Sequence, residues 1–370
     1  MKKPGVLLSL VLGIGPSLLL GVGCGKAEPP PETPDTVEPE PAPPPPEPEP
    51  PKTLAGEDLA KRYVECWQAF DASDWDTFGE CFAENAVRSF PDSSQEDLEG
   101  PEAIIEGSVK PFKEAFPDAK ATPQLVLVND RNVSSITWLT GTHSGTLKTA
   151  GGDIPPSGKK IGQFAFHSVT LDAANQATAE VMINDMGSLV YQLGLSPGPA
   201  RAAREVGLPG APIIVVASGG EAEQANVAAV KLFTEQFAKE DIKGISATLA
   251  DDVIESDQSS AKDMKGKKAV IAGTKLFLGA MGKISYDCPV AWGAGAYVVT
   301  LCNFKAVHDG NLGRLKKTNK HVSLTVAEVH ELADGKFQQA WRFFDSAAFA
   351  RQLGLVPGPK GEKASPAASK

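Results

Sequence analysis

The sequence predicts an α+β protein built from two related domains in tandem. A segment that reads Asp-x6-Gln-Leu-Gly-Leu-x-Pro-Gly-Pro begins at Asp185 and again at Asp345, 160 positions later (345 − 185). That spacing is long enough for one small domain per copy. In both halves, apolar residues at helical spacing come first and β-rich runs follow. Helices that precede a sheet, rather than alternating with strands, are typical of α+β folds.

The first 23 residues have the pattern of a secretory signal. Two lysines follow Met1, residues 6–22 are apolar but broken by glycines and Pro16, and Cys24 follows small residues. This apolar stretch is too short and Gly-rich for a stable membrane span. The cysteine resembles a bacterial lipobox, although Gly21 stands where that motif has an aliphatic residue. We interpret Cys24 as the lipidation site of an exported lipoprotein, anchored to a membrane of the cell envelope; the alternative is an ordinary signal peptide.

Residues 24–53 form a spacer that is rich in proline and glutamate. The spacer has no aromatic residue, so it cannot bury a core, and we expect it to stay disordered. Dense proline favours an extended tether that holds the folded domains away from a membrane. The formal net charge is −10, and much of the acidic excess lies in this spacer. No basic stripe is present, which argues against a nucleic-acid partner.

Four cysteines remain once Cys24 is set aside, two in each half. Cys66 and Cys81 fall on neighbouring helical segments. Cys288 and Cys302 are centred on Gly295, a predicted hairpin turn, and so face each other. An exported protein permits disulfides. The alternative is four buried free thiols.

The periodicity divides the folded part into a first domain at 54–200, an interdomain linker at 201–224 and a second domain at 225–358. The first domain shows three helical stripes, the second of which runs from Trp75 to Phe82, and then four β-rich runs. The second domain repeats this order. The linker contains an apolar island at 213–216, interpreted as either an edge strand or a packed strap. Residues 359–370 are polar and are predicted to be disordered.

Four features resemble the SnoaL-like polyketide cyclases and ester cyclases of the nuclear-transport-factor-two-like superfamily. They are the repeated closing segment, Gly-Thr-His-Ser-Gly at 141–145, Pro-Pro-Ser-Gly-Lys at 155–159, and a tryptophan before the terminal acid, kept as Trp341. The resemblance covers residues 55–197 and, more weakly, 225–357. It implies tandem cone-shaped domains, in each of which a curved sheet wraps against helices around a conical pocket. The second domain is the more degenerate copy.

In these cyclases, an aspartate on the last strand acts as general acid or base for ring closure, and the resemblance places Asp185 and Asp345 at that position. An apolar pocket raises the pKa of such a carboxyl by penalising its charged form. Val181 and Ile183 share a strand face with Asp185, and this face is predicted to line the pocket. The alternative is that each aspartate only caps the helix that follows it.

His143 resembles the strand histidine that lies near this aspartate in the family, and His167 is a weaker candidate on the next strand. The alternative is a half-buried histidine that bonds to the backbone. Where His143 is expected to recur, the second domain reads Cys302-Asn303-Phe304-Lys305. The first domain in turn has Val181 in place of the tryptophan. Neither copy carries the full motif set.

Aromatic residues supply further pocket candidates, for which the alternative is ordinary core packing. These candidates are Tyr63, Trp67, Trp138, Trp341 and Phe343. The sequence shows no metal-site spacing, phosphate-binding loop or nucleophile elbow, so no metal and no cofactor are predicted.

Two functions follow from these patterns. The first is a non-catalytic module that binds an apolar small molecule, and the second is a cyclase-like or isomerase-like enzyme that uses Asp185. Pairing of the two domains within the chain, or a homo-oligomer, is compatible with both.

Overall fold

The computed structural model describes residues 52–93, 95–149, 152–196 and 200–356. The signal segment, Cys24, nearly all of the spacer and the tail at 359–370 lie outside the described residues. The described residues belong to one compact unit, Pro50–Lys370. None of the described helices has the length and apolar content needed to span a membrane.

The first half of this unit packs its helices on a seven-stranded sheet. The helices are α1 Gly56–Ala72, α2 Trp75–Gly79, α3 Pro101–Ile104, α4 Lys110–Ala115 and α5 Met186–Gln192, and a π-helical turn, Ile105–Val109, joins α3 to α4. The strands are β1 Phe82–Ser89, β2 Leu98–Glu99, β3 Lys120–Asn129, β4 Asn132–Thr142, β5 Lys160–Leu171, β6 Ala177–Ile183 and β7 Ile213–Val216. Their order across the sheet is β2-β1-β6-β5-β4-β3-β7.

The second half repeats this arrangement with six strands. Its helices are α6 Glu221–Ala238, α7 Ile242–Thr248, α8 Lys267–Leu278 and α9 Ser346–Gln352. Its strands are β8 Leu249–Asp257, β9 Met264–Lys265, β10 Gly282–Ala294, β11 Tyr297–Val307, β12 His321–Ala333 and β13 Lys336–Phe343, in the order β10-β11-β12-β13-β8-β9. The prediction of two tandem α+β domains with mainly antiparallel sheets is confirmed.

Four strands were not expected from the periodicity: β1 and β8, and the two-residue strands β2 and β9 that pair with them. Phe82, predicted to continue a helix, instead begins β1, and Leu249 begins the corresponding β8. β1 pairs in parallel with β6, and β8 pairs in parallel with β13, so each strand pairs with a segment near the far end of its own domain. In the linker, β7 adds a parallel edge strand beside β3.

Each repeated closing segment is a short capped helix. The Asp185 carboxylate caps α5, and the Asp345 carboxylate caps α9. Gly194 and Gly354 follow these helices with φ of +75° and +73°, a left-handed conformation that glycine adopts without a Cβ penalty. The shared sequence therefore encodes a helix start and a helix stop.

The two sheets pack against each other through one face each, while the opposite face of each sheet covers its own helices. The core between the sheets contains Leu125, Leu127, Ile136, Phe164, Phe166 and Ile183 from the first half and Ala294, Val299, Ala327, Val329, Trp341 and Phe343 from the second. The rings of Phe166 and Phe343 lie 5.8 Å apart across it. Both faces of the central strands are consequently buried.

Two disulfides are present, one in each half. Cys66 on α1 bonds to Cys81 just before β1, and Cys288 on β10 bonds to Cys302 on β11. Each bond closes a short loop of chain, and cross-links of this kind stabilise a fold mainly by restricting the unfolded chain.

Candidate functional site

A cavity of about 590 Å³ lies in the first domain, between its helices and the sheet face that they cover. Its wall is mainly apolar and includes Trp67, Phe70, Phe112, Leu139, Met186 and Leu189. Gln163, Ala165 and His167 on β5 line it, whereas Phe164 and Phe166, between them in the chain, belong to the core between the sheets. A cavity of this volume and lining is typical of small-molecule sites.

Side-chain size explains why the first domain is hollow at this point. Ala121 on β3 pairs with Leu139 on β4 in the first sheet, and the equivalent pair in the second sheet is Tyr286 on β10 with Phe304 on β11. Both first-domain residues line the cavity. The second domain therefore places two aromatic rings where the first has an alanine and a leucine.

Those rings are part of a packed aromatic group in the second domain. Tyr286 lies 5.6 Å from Phe237 and 6.0 Å from Phe304, measured between ring centroids, and Phe277 lies 5.6 Å from Phe304. The corresponding part of the second domain is consequently filled by its own side chains.

A cluster of three buried polar residues lies at one wall of the first-domain cavity. Glu180 on β6 accepts a hydrogen bond from Arg88 Nε on β1 at 2.7 Å, and its other oxygen lies 3.0 Å from His167 Nδ1 on β5. The three side chains are at most 3% exposed. Arg88 and His167 line the cavity, and the His167 ring meets Trp67 edge-on at 4.7 Å.

The charges in this cluster determine its protonation. Burial alone would raise the pKa of Glu180, but the Arg88 charge and the His167 hydrogen bond together lower it to about 2. Glu180 is therefore an anion at neutral pH that holds Arg88 in place. Arg88 Nη2 is buried and has no hydrogen-bond partner among the described residues. This N–H group is therefore an unsatisfied donor of the cluster.

Asp185 does not line this cavity; it joins the two domains. Its Oδ1 accepts hydrogen bonds from Gly187 N at 3.1 Å and, across the interface, from Ser346 N at 2.9 Å and Ser346 Oγ at 2.6 Å. Its Oδ2 accepts from Ser188 N at 3.0 Å. Burial raises the pKa of Asp185, and the bonds from Ser188 and Ser346 oppose that shift. Its two oxygens thus bond to the first turns of both α5 and α9.

The approach at this interface is close enough to require glycine. A Cβ built on Gly187 would lie 2.0 Å from Ser346 Oγ, which is far inside van der Waals contact. The Ser346 hydroxyl that donates to Asp185 therefore occupies the space that a side chain at position 187 would need.

Asp345, from the second domain, borders the cavity of the first. Its Oδ1 accepts from Ala347 N at 3.0 Å. Its Oδ2 is buried, has no hydrogen bond within the described part of the chain, and lies 3.5 Å from Arg351 Nη2. Burial, followed by the nearby Asp185 carboxylate, raises the pKa of Asp345 to about 6. The two acids that the repeat makes equivalent in sequence therefore have different surroundings.

The sequence profile of the SnoaL-like polyketide cyclases matches residues 57–189 and 228–353 of the chain. The chain belongs to the SnoaL-like polyketide cyclase family. Each half is thus a SnoaL-like domain, as its motifs predicted. No curated protein matches the chain.

Three solved structures that are similar to part of the chain carry different descriptions. A protein described as a SnoaL-like polyketide cyclase from a Jannaschia species is 16% identical, with a TM-score of 0.35, over 37% of this chain and 97% of its own. An epoxide hydrolase from M. tuberculosis is 20% identical (TM-score 0.31; 37% and 99%). An NTF2-like protein from Burkholderia xenovorans is 23% identical (TM-score 0.31; 36% and 99%).

His143 has a structural role in the first SnoaL-like domain. Its Nδ1 accepts from Ser157 N at 3.2 Å and lies 3.1 Å from Ser157 Oγ, so it holds the loop that contains the Pro-Pro-Ser-Gly-Lys motif. Within the described residues it forms no hydrogen bond with Asp185. Burial lowers the pKa of His143, which favours the neutral ring. His143 therefore bonds to its own loop rather than to Asp185, the residue near which the resemblance places it.

The second SnoaL-like domain does contain a counterpart of His143, namely His308. Its backbone N–H bonds to Lys320 O, as that of His143 bonds to Lys159 O, and its Nδ1 accepts from Thr318 N at 3.2 Å. The residues expected at this position, around Cys302, lie further back on β11. The histidine is therefore present in both domains, where it supports the same loop.

Three aromatic pocket candidates lie on the opposite side of the sheets from the cavity. Trp138, Trp341 and Phe343 pack in the core between the two domains. Val181 and Ile183 pack against this core as well. Of the two, Ile183 also borders the cavity, so the predicted pocket face of β6 is wrong for Val181 but not for Ile183. Trp67 does line the cavity. Tyr63 is not among the lining residues, and its hydroxyl is 2.7 Å from Ser135 Oγ.

The second SnoaL-like domain has its own buried cluster, with the charges rearranged. Pairing registers place Glu255 at the position of Arg88 and Glu328 at that of His167. Arg342 bonds to both acids, at 2.9 Å and 2.8 Å. Tyr286, the residue that fills the space corresponding to the first-domain cavity, donates to Glu328 at 2.9 Å. These bonds pair the arginine and both acids within the protein, in contrast to the open Arg88.

Sequence reasoning missed Arg88 and Glu180. The available signal was a single acid, Glu180, within a β-rich run; the local sequence around Arg88 gave none. The described residues contain no group of three or more His, Cys, Asp and Glu side chains arranged to hold a metal ion.

Proposed function

We propose that this protein binds one small, mainly apolar molecule in its first SnoaL-like domain, and that the second domain is a filled structural partner. The observation that carries the proposal is the contrast between the two domains at equivalent positions. Ala121 and Leu139 leave a cavity of about 590 Å³, whereas Tyr286 and Phe304 pack against other aromatic rings.

The lining indicates the kind of ligand. Transfer of apolar surface from water into such a cavity contributes about 25 cal/mol per Å², which supplies most of the binding free energy. The unpaired Nη2 of Arg88 supports recognition of one acceptor oxygen, such as a carbonyl, because a buried donor without a partner costs free energy. We infer an apolar ring system with at least one oxygen.

Binding explains the geometry better than proton transfer by Asp185. A general base must come within hydrogen-bond reach of the proton that it removes. The Asp185 oxygens accept four hydrogen bonds from helix N-termini and Ser346, and the residue is not part of the cavity wall. His143 is engaged with its own loop. Cyclase chemistry of the family type therefore lacks its acid in the first domain.

We further propose that the binding domain is held at the cell envelope. The basic residues after Met1, the apolar segment and Cys24 support export and lipidation, and the Pro/Glu-rich spacer supports a tethered arrangement. The folded unit would then sample the aqueous space next to a membrane, where an apolar ligand is sparingly soluble.

Filling the cavity is expected to abolish binding. We choose 2-naphthol and its methyl ether as probes, since both are small apolar bicycles with one oxygen, and expect 2-naphthol to bind the full chain with a Kd on the order of 100 μM. The change Ala121→Tyr copies the second domain and should weaken both probes at least tenfold. Titrations followed by probe fluorescence, on protein that also carries Cys24→Ser so that no lipid competes, measure this.

Tyr286→Phe is the matched control, because it alters the equivalent position of the second domain and leaves the first-domain cavity unchanged. It should retain the affinity of the parent protein. Equal affinity of the parent and Ala121→Tyr proteins would place the probes elsewhere and contradict the proposal.

A further inference from the structure

We propose that Asp345 of the second domain completes the ligand site of the first, where it selects molecules that present a hydrogen-bond donor, a hydroxyl or an amine. This inference rests on the proposed binding function and names the chemistry of its ligand. Apart from Asp345, the described residues that line the cavity lie between Trp67 and Leu189, all in the first domain.

One oxygen of the Asp345 carboxylate lacks a hydrogen-bond donor among the described residues. The side chain is 96% buried (4% exposed), and its Oδ2 accepts no hydrogen bond among the described residues. Buried carboxylate oxygens nearly always have a donor. Arg351 Nη2, at 3.5 Å, is only a partial partner, since it donates at 2.9 Å to the Asp92 carbonyl. A ligand donor would complete this site.

The two acids differ in the partners that the residue after the opposite acid provides. Asp185 receives the amide and hydroxyl of Ser346, the residue that follows Asp345. The residue that follows Asp185 is Met186, which has no hydroxyl to return, and its side chain lines the cavity instead. One substitution between the repeats thus satisfies Asp185 and leaves Asp345 open beside an apolar wall.

The second domain also holds part of the cavity wall in place. Phe90 and Ser93, in the loop after β1, line the cavity. Asp92 lies between them, and its carboxylate accepts from Thr325 N of β12 while its carbonyl accepts from Arg351 Nη2. The position of Asp345 relative to the first-domain cavity is therefore set by bonds across the domain interface.

Other cavity-lining residues also have buried polar atoms without hydrogen bonds among the described residues, and these agree with a ligand that carries a hydrogen-bond donor. Gln163 Oε1 and Asn184 Oδ1 also belong to cavity-lining residues and are buried without hydrogen bonds among the described residues, whereas Arg88 Nη2 is an open donor. A ligand with an acceptor for Arg88 and a hydroxyl or amine for Asp345 would satisfy both charged groups. The described site favours such a molecule over a pure hydrocarbon.

The test compares 2-naphthol, which can donate a hydrogen bond, with its methyl ether, which cannot. The parent protein should bind 2-naphthol about tenfold more tightly, as expected for one hydrogen bond to a charged acceptor. Asp345→Asn should reduce this ratio to near one and leave the Kd of the methyl ether unchanged. Asparagine is also a preferred helix cap, so the fold is expected to persist; Asp345→Ser, another capping residue, is the second variant.

Ser346→Ala is the matched control, because it removes a partner of Asp185 and leaves the Asp345 carboxylate in place; its ratio should equal that of the parent. If both probes bind, Ala121→Tyr abolishes their binding and the ratio survives in Asp345→Asn and Asp345→Ser, the binding function stands and the role of Asp345 is overturned. If neither probe binds the parent protein, both proposals are overturned.

Discussion

Glu180→Ala is expected to lower the free energy of unfolding by about 3–5 kcal/mol, the range for removal of one partner from a buried ion pair. The variant leaves the Arg88 guanidinium, which is 1% exposed, without its 2.7 Å partner. His167 loses the acceptor of its Nδ1 at the same time. Urea-induced unfolding, followed by far-ultraviolet circular dichroism, measures the change.

The double replacement Arg88→Met with Glu180→Leu is the informative control. It removes both charges and keeps apolar volume, so it should recover most of the loss, because well-packed apolar residues often replace a buried pair at little cost. A loss below about 1 kcal/mol for Glu180→Ala alone would show that the cluster is not buried and paired as described.

The free energy of unfolding should depend on pH through both Glu180 and Asp345. The folded pKa of Glu180, about 2, lies below its ordinary 4.5. The stability that Glu180 contributes is thus fully present above pH 4.5 and lost as the pH falls through 2. Asp345 should show the opposite dependence of stability on pH, because its pKa is shifted upward. Its pKa is raised from 3.8 to about 6, so its contribution is present below pH 3.8 and lost as the pH rises through 6.

Asp185→Ala is expected to cost about 2–4 kcal/mol and to loosen the domain interface, because several buried donors lose their acceptor together. The Ser346 hydroxyl and the amides of Ser188 and Ser346 would remain without a carboxylate. Hydrogen exchange at the first turns of α5 and α9 should accelerate together. The measurement is native-state exchange resolved by residue, combined with urea unfolding.

Asp345→Ala is the matched variant in the other repeat. Asp345 accepts a hydrogen bond from Ala347 N, receives none across the domain interface from the described residues that match the partners of Asp185, and has its charge opposed by that of Asp185. Its removal should cost about 1 kcal/mol, the usual value of a helix cap. Equal losses for the two alanine variants would contradict the asymmetry on which the ligand site depends.

Sequence predicted the repeat, the family and the ends of the closing helices because these depend on local chemistry. Asp185 and Gly194 start and stop α5 through bonds within a few residues of each other, and the same pattern recurs at Asp345 and Gly354. Helix capping was one of the two interpretations of these aspartates, and both of them do cap a helix.

Sequence misassigned the faces of β6 because both are buried. Val181 and Ile183 are more apolar than Glu180 and Met182, and the more apolar face was taken to line the pocket. That face packs against the second domain, although Ile183, the last residue of β6, also borders the cavity. Alternation distinguishes a buried face from a solvated one, but it cannot distinguish a cavity from a domain interface when water reaches neither.

The polar cluster escaped prediction for a different reason. Arginine and glutamate are rarely buried unless they are paired. Arg88 and Glu180 are 92 residues apart, and only the parallel register of β1 with β6 brings them together. His308 was missed because it follows His143 by 165 positions (308 − 143), whereas the acids are 160 apart.

The number of ligands bound per chain tests most directly the claim that the first SnoaL-like domain is hollow and the second is filled. Equilibrium dialysis of the full chain carrying Cys24→Ser against 2-naphthol, at protein concentrations above the Kd, measures that number at saturation. One molecule per chain, reduced to none by Ala121→Tyr, is the predicted result. Two molecules per chain, or one that survives Ala121→Tyr, would contradict the account.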